Sequence, residues 1–451
     1  KSKISKKLII KNISINSKTI KKNEVFFAIK GERIDGNKFI SEALKNKSSL
    51  AIVNKISKNC TAAKQVKVKN TLSFLTKCSS IFRENTNAKI ISITGSCGKT
   101  TLKEMIGRTL KSISRASYSP KSFNNKYGVP LSLFNLKQND EYGVFEVGMD
   151  KKGEIDNLTK IIKPDLGVIT NISYAHAKNF KNIHKIAEAK AEIMKNIRKG
   201  GTIVLNMDDD FYSFHKNFAL KKKLNIISFS IYNKSSTVRL YKINKKKDKY
   251  KLFIKIRNLF FSFYSYNNNI SHLYNILASI ASISSFINIK KLKKDIFLNF
   301  QNPDGRGDIS KIKFRNKKIF LVDESYNSNP LSLKTAIENY DKMDTKNSKK
   351  YLVLGDMLEL GKHSIKQHKL ISKIVNKTKI NHVYVIGKYI KKTFYGLKSN
   401  KKAEILKNKI DILNLIKNNL NNNDYIMIKG SNSTGLHKIA TNLKQRNSNV
   451  I

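Results

Sequence analysis

The run Ile91-Ser92-Ile93-Thr94-Gly95-Ser96-Cys97-Gly98-Lys99-Thr100-Thr101 constrains the fold more than any other stretch of the chain. A short β-branched segment feeds a glycine-containing loop that ends in Gly-Lys-Thr. A helix-forming stretch, residues 102–113, follows. Strand, loop and helix in that order are what a phosphate-binding loop requires. Loop N–H groups and the unsatisfied first turn of the helix converge there on an anion. In this reading Thr94, Gly95, Ser96, Cys97, Gly98, Lys99, Thr100 and Thr101 surround nucleotide phosphates. Lys99 neutralises the β/γ-phosphates and the Thr100 hydroxyl ligates Mg²⁺. Ile93 stands where the common G-x-x-x-x-G-K-[ST] loop has its first glycine, so the loop is a compact variant. The alternative is a chance Gly-Lys-Thr at a surface turn, which the flanking strand and helix disfavour. Cys97 lies at a helix N-terminus near Lys99, a setting that predicts a lowered thiol pKa.

A chain of 451 residues is too long for one core and suggests about two to four domains. Lys and Arg number 88 against 32 Asp and Glu, a net charge of +56. That excess ordinarily points to nucleic acid. Here it runs along the whole chain, is mostly Lys, and accompanies abundant Asn and Ile with no Trp. It therefore reads as coding drift, and no specific nucleic-acid partner is expected. Cys60, Cys78 and Cys97 have no C-x-x-C spacing, which points to a reducing compartment rather than disulfides or zinc. No signal-like apolar leader is visible, and the apolar window 270–289 carries polar residues that predict a buried helix rather than a membrane span. A cytoplasmic monomer is expected. The chain opens on Lys1 rather than Met, so its leading end is expected to be processed or missing.

Three units follow from the pattern. Residues 1–85 read as a small α/β unit, with a strand run at 25–29, a turn through Gly31, Glu32, Arg33 and Gly36, and a helix from 39 to 44. Residues 86–308 alternate apolar strands and helices, implying a mostly parallel sheet, and 235–269 suggest antiparallel hairpins. Residues 309–451 hold a second, Rossmann-like set of strands and helices.

Several candidate site residues fall at the carboxyl ends of strands, where open α/β sheets bind ligands. Glu146 is positioned to share Mg²⁺ with Thr100. His176 follows the next strand, where ligand and structural roles are both open. Lys190, on a helical pattern, reads from spacing alone as an ordinary surface lysine. Asp208 and Asp209 are caps or site walls. Asn124 and Asn125, in a Gly-Pro loop, grip polar substrate or merely connect. Arg306, between Gly305 and Gly307, reaches phosphate or serves as a linker. Asp323, Tyr326, Asn327 and Asn329 follow one strand of the third unit, Asp356, Glu359 and Gly361 another, and Lys429 a third.

The compact Thr-Gly-x-x-Gly-Lys-Thr loop, Asn124-Asn125-x-x-Gly128-Val129-Pro130, Tyr326-Asn327-x-Asn329-Pro330 and Gly355-Asp356-Met357-x-Glu359-Leu360-Gly361 together resemble the Mur ligase family across nearly the whole chain. The resemblance implies an α/β fold of three domains: a UDP-sugar-binding domain, a central ATP-binding domain with a P-loop-ATPase-like parallel sheet, and a C-terminal Rossmann-like ligase domain. It implies an ATP-dependent amide ligase of peptidoglycan precursor synthesis that joins D-alanyl-D-alanine to UDP-N-acetylmuramoyl-tripeptide through an acyl phosphate. Thr100 and Glu146 would hold one Mg²⁺. His176 and a carbamylated Lys190 would help hold a second, so that Lys99, Glu146, His176 and Lys190 form the catalytic group. Asn275, Arg306 and Asp323 match positions around ATP, and Ser17 a position near the uracil nucleotide. Asn124, Asn125, Tyr326, Asn327 and Asn329 are expected on the substrates. Two departures stand out: Asn16 and Lys18 flank Ser17 where the family has Asp and Arg, and Ser271 occupies the position of a usual His. Another amide ligase of the superfamily, or a nucleic-acid-associated P-loop ATPase, are the rival readings.

Overall fold

The computed structural model describes residues 10–31, 34–314, 316–346 and 348–445. The expected turn residues Glu32 and Arg33 lie outside them. Three sheets organise the chain. The first is all parallel, with β1 (Asn12–Ser14), β2 (Glu24–Phe27), β3 (Leu50–Val53) and β4 (Gln65–Lys67) in sequential order. Val25, Phe26, Phe27 and all of β3 are buried, because the helix Ile40–Lys45 covers one face, and the helix Thr71–Glu84 together with Leu131 of the central domain covers the other.

The second sheet has nine strands: β5 (Lys89–Thr94), β6 (Ala116–Tyr118), β7 (Tyr142–Glu146), β8 (Leu166–Ile169), β9 (Thr202–Asn206), β10 (Asn225–Ser230), β11 (Val238–Lys246), β12 (Lys249–Ile256) and β13 (Leu259–Ser265). Their order is β13-β12-β11-β10-β9-β8-β5-β7-β6. From β6 to β11 the pairing is parallel, and β11 to β13 form the antiparallel hairpins. β7 and β8 flank β5 on opposite sides. The chain therefore switches direction across the sheet at β5, the place where such sheets open a ligand crevice. The apolar window is the buried helix Ile270–Ile283, packed against the helix Lys99–Lys111.

The third sheet contains β14 (Asp308–Phe314), β15 (Lys317–Asp323), β16 (Lys350–Gly355), β17 (His382–Ile386), β18 (Lys402–Ile405) and β19 (Tyr425–Lys429), in the order β14-β15-β19-β16-β17-β18. Only β14 runs antiparallel to its neighbour.

Specific contacts tie the sheets together. Arg83, fully buried near the end of the helix Thr71–Glu84, donates from Nε to the Ile162 carbonyl at 2.7 Å and from Nη2 to that of Lys163 at 3.1 Å. Burial away from water pulls its pKa down to about 10. These bonds fix the first domain to the second. One apolar cluster runs from the central domain into the C-terminal one, joining Phe180 and Ile186 with Leu333, Met357 and Leu360.

Candidate functional site

The site begins at β5. Register pairs Ile93 with Glu146 and Thr94 with Ile169, so the loop leaving β5 lies beside the carboxyl ends of β7 and β8. Gly95 has φ +142°, and a Cβ there would sit 1.8 Å from Thr170 Oγ1. Only glycine permits that turn. Thr170 Oγ1 donates to the Cys97 carbonyl at 2.6 Å, and Asn171 Oδ1 accepts from the Cys97 N–H at 2.9 Å. The loop is thus clamped from β8 before any ligand arrives. Thr94 is fully buried and does not face the cleft. Ser96, Cys97, Gly98, Lys99, Thr100 and Thr101 line a cleft of about 1170 Å³ that extends to the C-terminal domain.

Thr100 Oγ1 donates to Glu146 Oε2 at 2.8 Å, and Asn124 Nδ2 donates to Glu146 Oε1 at 2.6 Å. A hydroxyl and a carboxylate, both oxygen donors at this spacing, fit a hard divalent cation. Lys99 Nζ donates to the Gly95 carbonyl at 2.9 Å, and Lys190 Nζ donates to the same oxygen at 3.0 Å. Lys190 is therefore no surface lysine. The helix Ile183–Ala191 turns it inward between small alanines, and it is buried. Burial first, then the neighbouring Lys99 ammonium, hold the Lys190 pKa well below the ordinary lysine value. Burial likewise lowers that of Lys99. A buried amine pressed towards neutrality beside a cation fits the requirement for carbamylation, in which a free amine adds CO₂.

Cys97 departs from the reading of a lowered thiol pKa. Burial raises it, outweighing the Asn329 contact and the nearby lysines. Its Sγ lies against Asn329 Oδ1 at 3.2 Å, so the C-terminal domain covers the thiol.

That covering is part of a wider contact between domains. Arg306 Nη2 donates to Thr100 Oγ1 at 3.0 Å, and its guanidinium lies 4.3 Å from the Tyr326 ring centre. Tyr326 OH donates to Ser122 Oγ at 3.0 Å. Asn329 Nδ2 donates to the Ser96 carbonyl at 3.3 Å while Asn329 Oδ1 caps its own helix, Pro330–Lys342, through Ser332 N. Arg306 is therefore more than a linker residue. Asn275, on the helix Ile270–Ile283, brings its side-chain oxygen within 3.2 Å of the point where a Gly98 Cβ would sit.

His176 has a left-handed backbone, φ +55°. Its Nδ1 lies 2.8 Å from Asp150 Oδ1 and 2.7 Å from Glu359 Oε2. Both oxygens lie within ion-pair distance, but neither meets Nδ1 with hydrogen-bond geometry. His176, Asp150 and Glu359 form the one cluster of potential metal donors of this kind among the described residues.

Asn124, Tyr326, Asn327 and Asn329 line the cleft, as does Asn125. Asn125 Oδ1 also accepts from Gly128 N at 2.9 Å, and residues from Gly128 to Leu133 are helical rather than a loop. Asp208 and Asp209 lie on the wall and also tie loops: Asp208 accepts from Tyr274 OH and Ser230 Oγ, and Asp209 from Ile172 N.

Asp323 points away from the cleft, and Ser17, expected near the uracil nucleotide rather than the ATP, lies in the first domain outside it. Asp323 is fully buried, accepting from Ser325 N–H at 3.0 Å and pairing with Lys444 Nζ at 2.6 Å. Its neighbour Glu324 faces the cleft instead, 3.4 Å from Lys429 Nζ, with burial raising its pKa. Successive residues at a strand end point to opposite sides, and a single sequence does not reveal which of the two acids faces in. Ser17 donates to Glu42 Oε2 at 2.5 Å within the first domain, away from the cleft. Asn171 and Ser122 gave no distinguishing sequence signal; only the loop's tertiary approach gives them roles.

Comparison with known proteins places these features in context. The Mur ligase family catalytic domain matches residues 9–83, the Mur ligase middle domain 93–283, and the Mur ligase glutamate ligase domain 311–432. A UDP-N-acetylmuramoyl-tripeptide–D-alanyl-D-alanine ligase of Buchnera aphidicola is 33% identical, covering 97% of this chain and 94% of its own. The ligase of the same name from Rickettsia prowazekii is 32% identical over 97% and 96%. Among solved structures, MurF from Acinetobacter baumannii superposes with a TM-score of 0.84 at 26% identity, covering 97% and 94%. The Thermotoga maritima MurF ligase in complex with ADP gives 0.82 at 25%, covering 99% and 100%.

Proposed function

The chain belongs to the Mur ligase family, and on that premise we propose that it is an ATP-dependent ligase joining D-alanyl-D-alanine to UDP-N-acetylmuramoyl-tripeptide. The whole-length similarity to ligases of that name carries this reading. ATP phosphorylates the terminal carboxylate of the tripeptide, releasing ADP. The dipeptide amine then attacks the acyl phosphate, forms the amide bond, and expels inorganic phosphate.

Each contact in the cleft has a task in that sequence. Loop N–H groups and Lys99 receive the β- and γ-phosphates, and Lys99 stabilises charge on the transferring phosphoryl group. Thr100 and Glu146 would hold one Mg²⁺, and His176 and a carbamylated Lys190 would help hold a second; bound Mg²⁺ would supply Lewis-acid stabilisation of the phosphoryl oxygens. Arg306 brings a second cation to the loop from the inter-domain segment, and Tyr326 fixes the guanidinium plane. Glu324 faces the nucleotide side of the cleft where Asp323 was expected. Asn124, Asn125, Tyr326, Asn327 and Asn329 meet the peptide and dipeptide. The meeting of Asn329 with Ser96 and Cys97 closes the loop against water, protecting the acyl phosphate from hydrolysis.

No helix among the described residues is long and apolar enough to cross a membrane. With three free cysteines and nucleotide-linked substrates, we place the enzyme in the cytoplasm, acting as a monomer. The test is ADP release with each substrate omitted in turn. Turnover is expected only with UDP-muramoyl tripeptide and D-alanyl-D-alanine together, and robust turnover with a single amino acid would overturn the assignment.

A further inference from the structure

The segments 174–179 and 359–363 form a second contact between the central and C-terminal domains, apart from the phosphate loop. Lys178 N–H donates to the Glu359 carbonyl at 2.8 Å. The Tyr174 and His363 rings lie 5.0 Å apart. Gly361 has φ +55°, and a Cβ there would come within 2.8 Å of Lys178 Cα, so a glycine lets the two backbones touch. This docking delivers the Glu359 carboxylate, from the far domain, to His176 Nδ1 at 2.7 Å. Asp150, which follows β7 in the central domain, meets the same nitrogen at 2.8 Å.

Two carboxylates crowd Nδ1 of this imidazole, so Nε2 is the ring nitrogen left clear of them and able to bind a cation. Carboxylates behind ligand histidines fix tautomer and ring orientation in this way, and their loss typically weakens metal binding by about 10–100-fold. Here one of the two orienting carboxylates belongs to a different domain. We propose that Glu359 is a positioning residue that reaches across the domain interface to orient His176, so that cation binding at His176 and closure of the C-terminal domain are thermodynamically linked. Asp150 gives His176 a basal orientation in the open protein, and Glu359 adds the second constraint on closure. Linkage is reciprocal: closure tightens the cation, and the cation favours closure by the same factor. The energy of docking then arms the site only when the C-terminal domain is in place. The inference rests on His176 being a cation ligand, as proposed above, but not on which amine the enzyme ligates.

The test uses the full chain with ADP and Mn²⁺ as the probe, without peptide or dipeptide, so it stands or falls separately from the substrate assignment. Electron paramagnetic resonance of free Mn²⁺ reads affinity, and small-angle scattering with and without Mn²⁺ reads closure. In Glu359→Ala the Thr100–Glu146 pair is untouched, so the tighter class of Mn²⁺ persists. The weaker class is expected to lose about tenfold in affinity, and the Mn²⁺-dependent fall in radius of gyration to disappear. ADP affinity without metal and the melting temperature stay at wild-type values. On a His176→Asn background, Glu359→Ala is expected to have no additional effect on either readout. Wild-type Mn²⁺ affinity and closure in Glu359→Ala would overturn the proposal, as would an effect of Glu359→Ala that persists in full when His176 is already gone.

Discussion

Lys190 offers the sharpest quantitative test of the site. Its Nζ and that of Lys99 donate to one carbonyl, that of Gly95, at 3.0 and 2.9 Å, so the two nitrogens are no more than about 6 Å apart. Two unit positive charges at about 6 Å repel by about 3 kcal/mol at an effective dielectric of about 20. Burial first, and this repulsion after it, hold the Lys190 pKa well below the ordinary lysine value. Lys190 is the deeper of the two in the protein, and both effects favour its free-amine form, the form that carbamylation needs. Two substitutions separate the consequences. Lys190→Met keeps the aliphatic stem and deletes the buried polar nitrogen. It should fold with a melting temperature at or above wild type and lose at least about 100-fold in turnover, the scale of deleting one electrostatic contact from a preorganised site. Lys190→Ala should be equally inactive but leaves room for a small acid, so acetate or propionate should restore part of its turnover. Lys190→Met, whose stem fills that room, should not respond. ADP release, scanning calorimetry and added carboxylates supply the readouts. Near-normal turnover in Lys190→Ala would refute the reasoning.

Other consequences of the structure can be checked independently. Iodoacetamide should modify Cys97 more slowly than Cys60, because burial raises the Cys97 pKa and Asn329 packs against its thiol; peptide mass mapping of a timed reaction decides this, and preferential labelling of Cys97 would refute it. His272 and His215 are buried as neutral rings with pKa values lowered from 6.5 to about 4. A depressed folded pKa contributes stability that is full above the unfolded value and lost as pH falls through the folded one, so the melting temperature should drop between pH 6.5 and 4, and His272→Leu should flatten that slope. Arg83→Ala strands the carbonyls of Ile162 and Lys163 and should cost about 2–4 kcal/mol, read by urea unfolding, with no change in nucleotide affinity.

Local chemistry alone specified a good deal of this protein. A β-branched run, a glycine turn and a helix start are encoded by neighbouring residues, so the phosphate loop, the parallel strands around it, the hairpins from β11 to β13 and the buried helix at 270–283 were all readable from spacing and hydrophobic period. Other features depend on partners distant in sequence. Lys190 looks like a surface lysine until the helix carrying it packs behind Gly95. The sequence setting of Cys97 predicts an acidic thiol, but Asn329, 232 residues away, packs against it, and desolvation outweighs the nearby positive charge. Glu324 rather than Asp323 faces the cleft because successive residues at the end of β15 turn opposite ways and each acid meets a different lysine, Lys444 for Asp323 and Lys429 for Glu324. Glu359 meets His176 only when two domains dock. Backbone preference and amphipathic period act over a few residues and can be read along the chain, whereas burial, charge pairing and pKa are set by whatever atoms folding brings within a few ångströms.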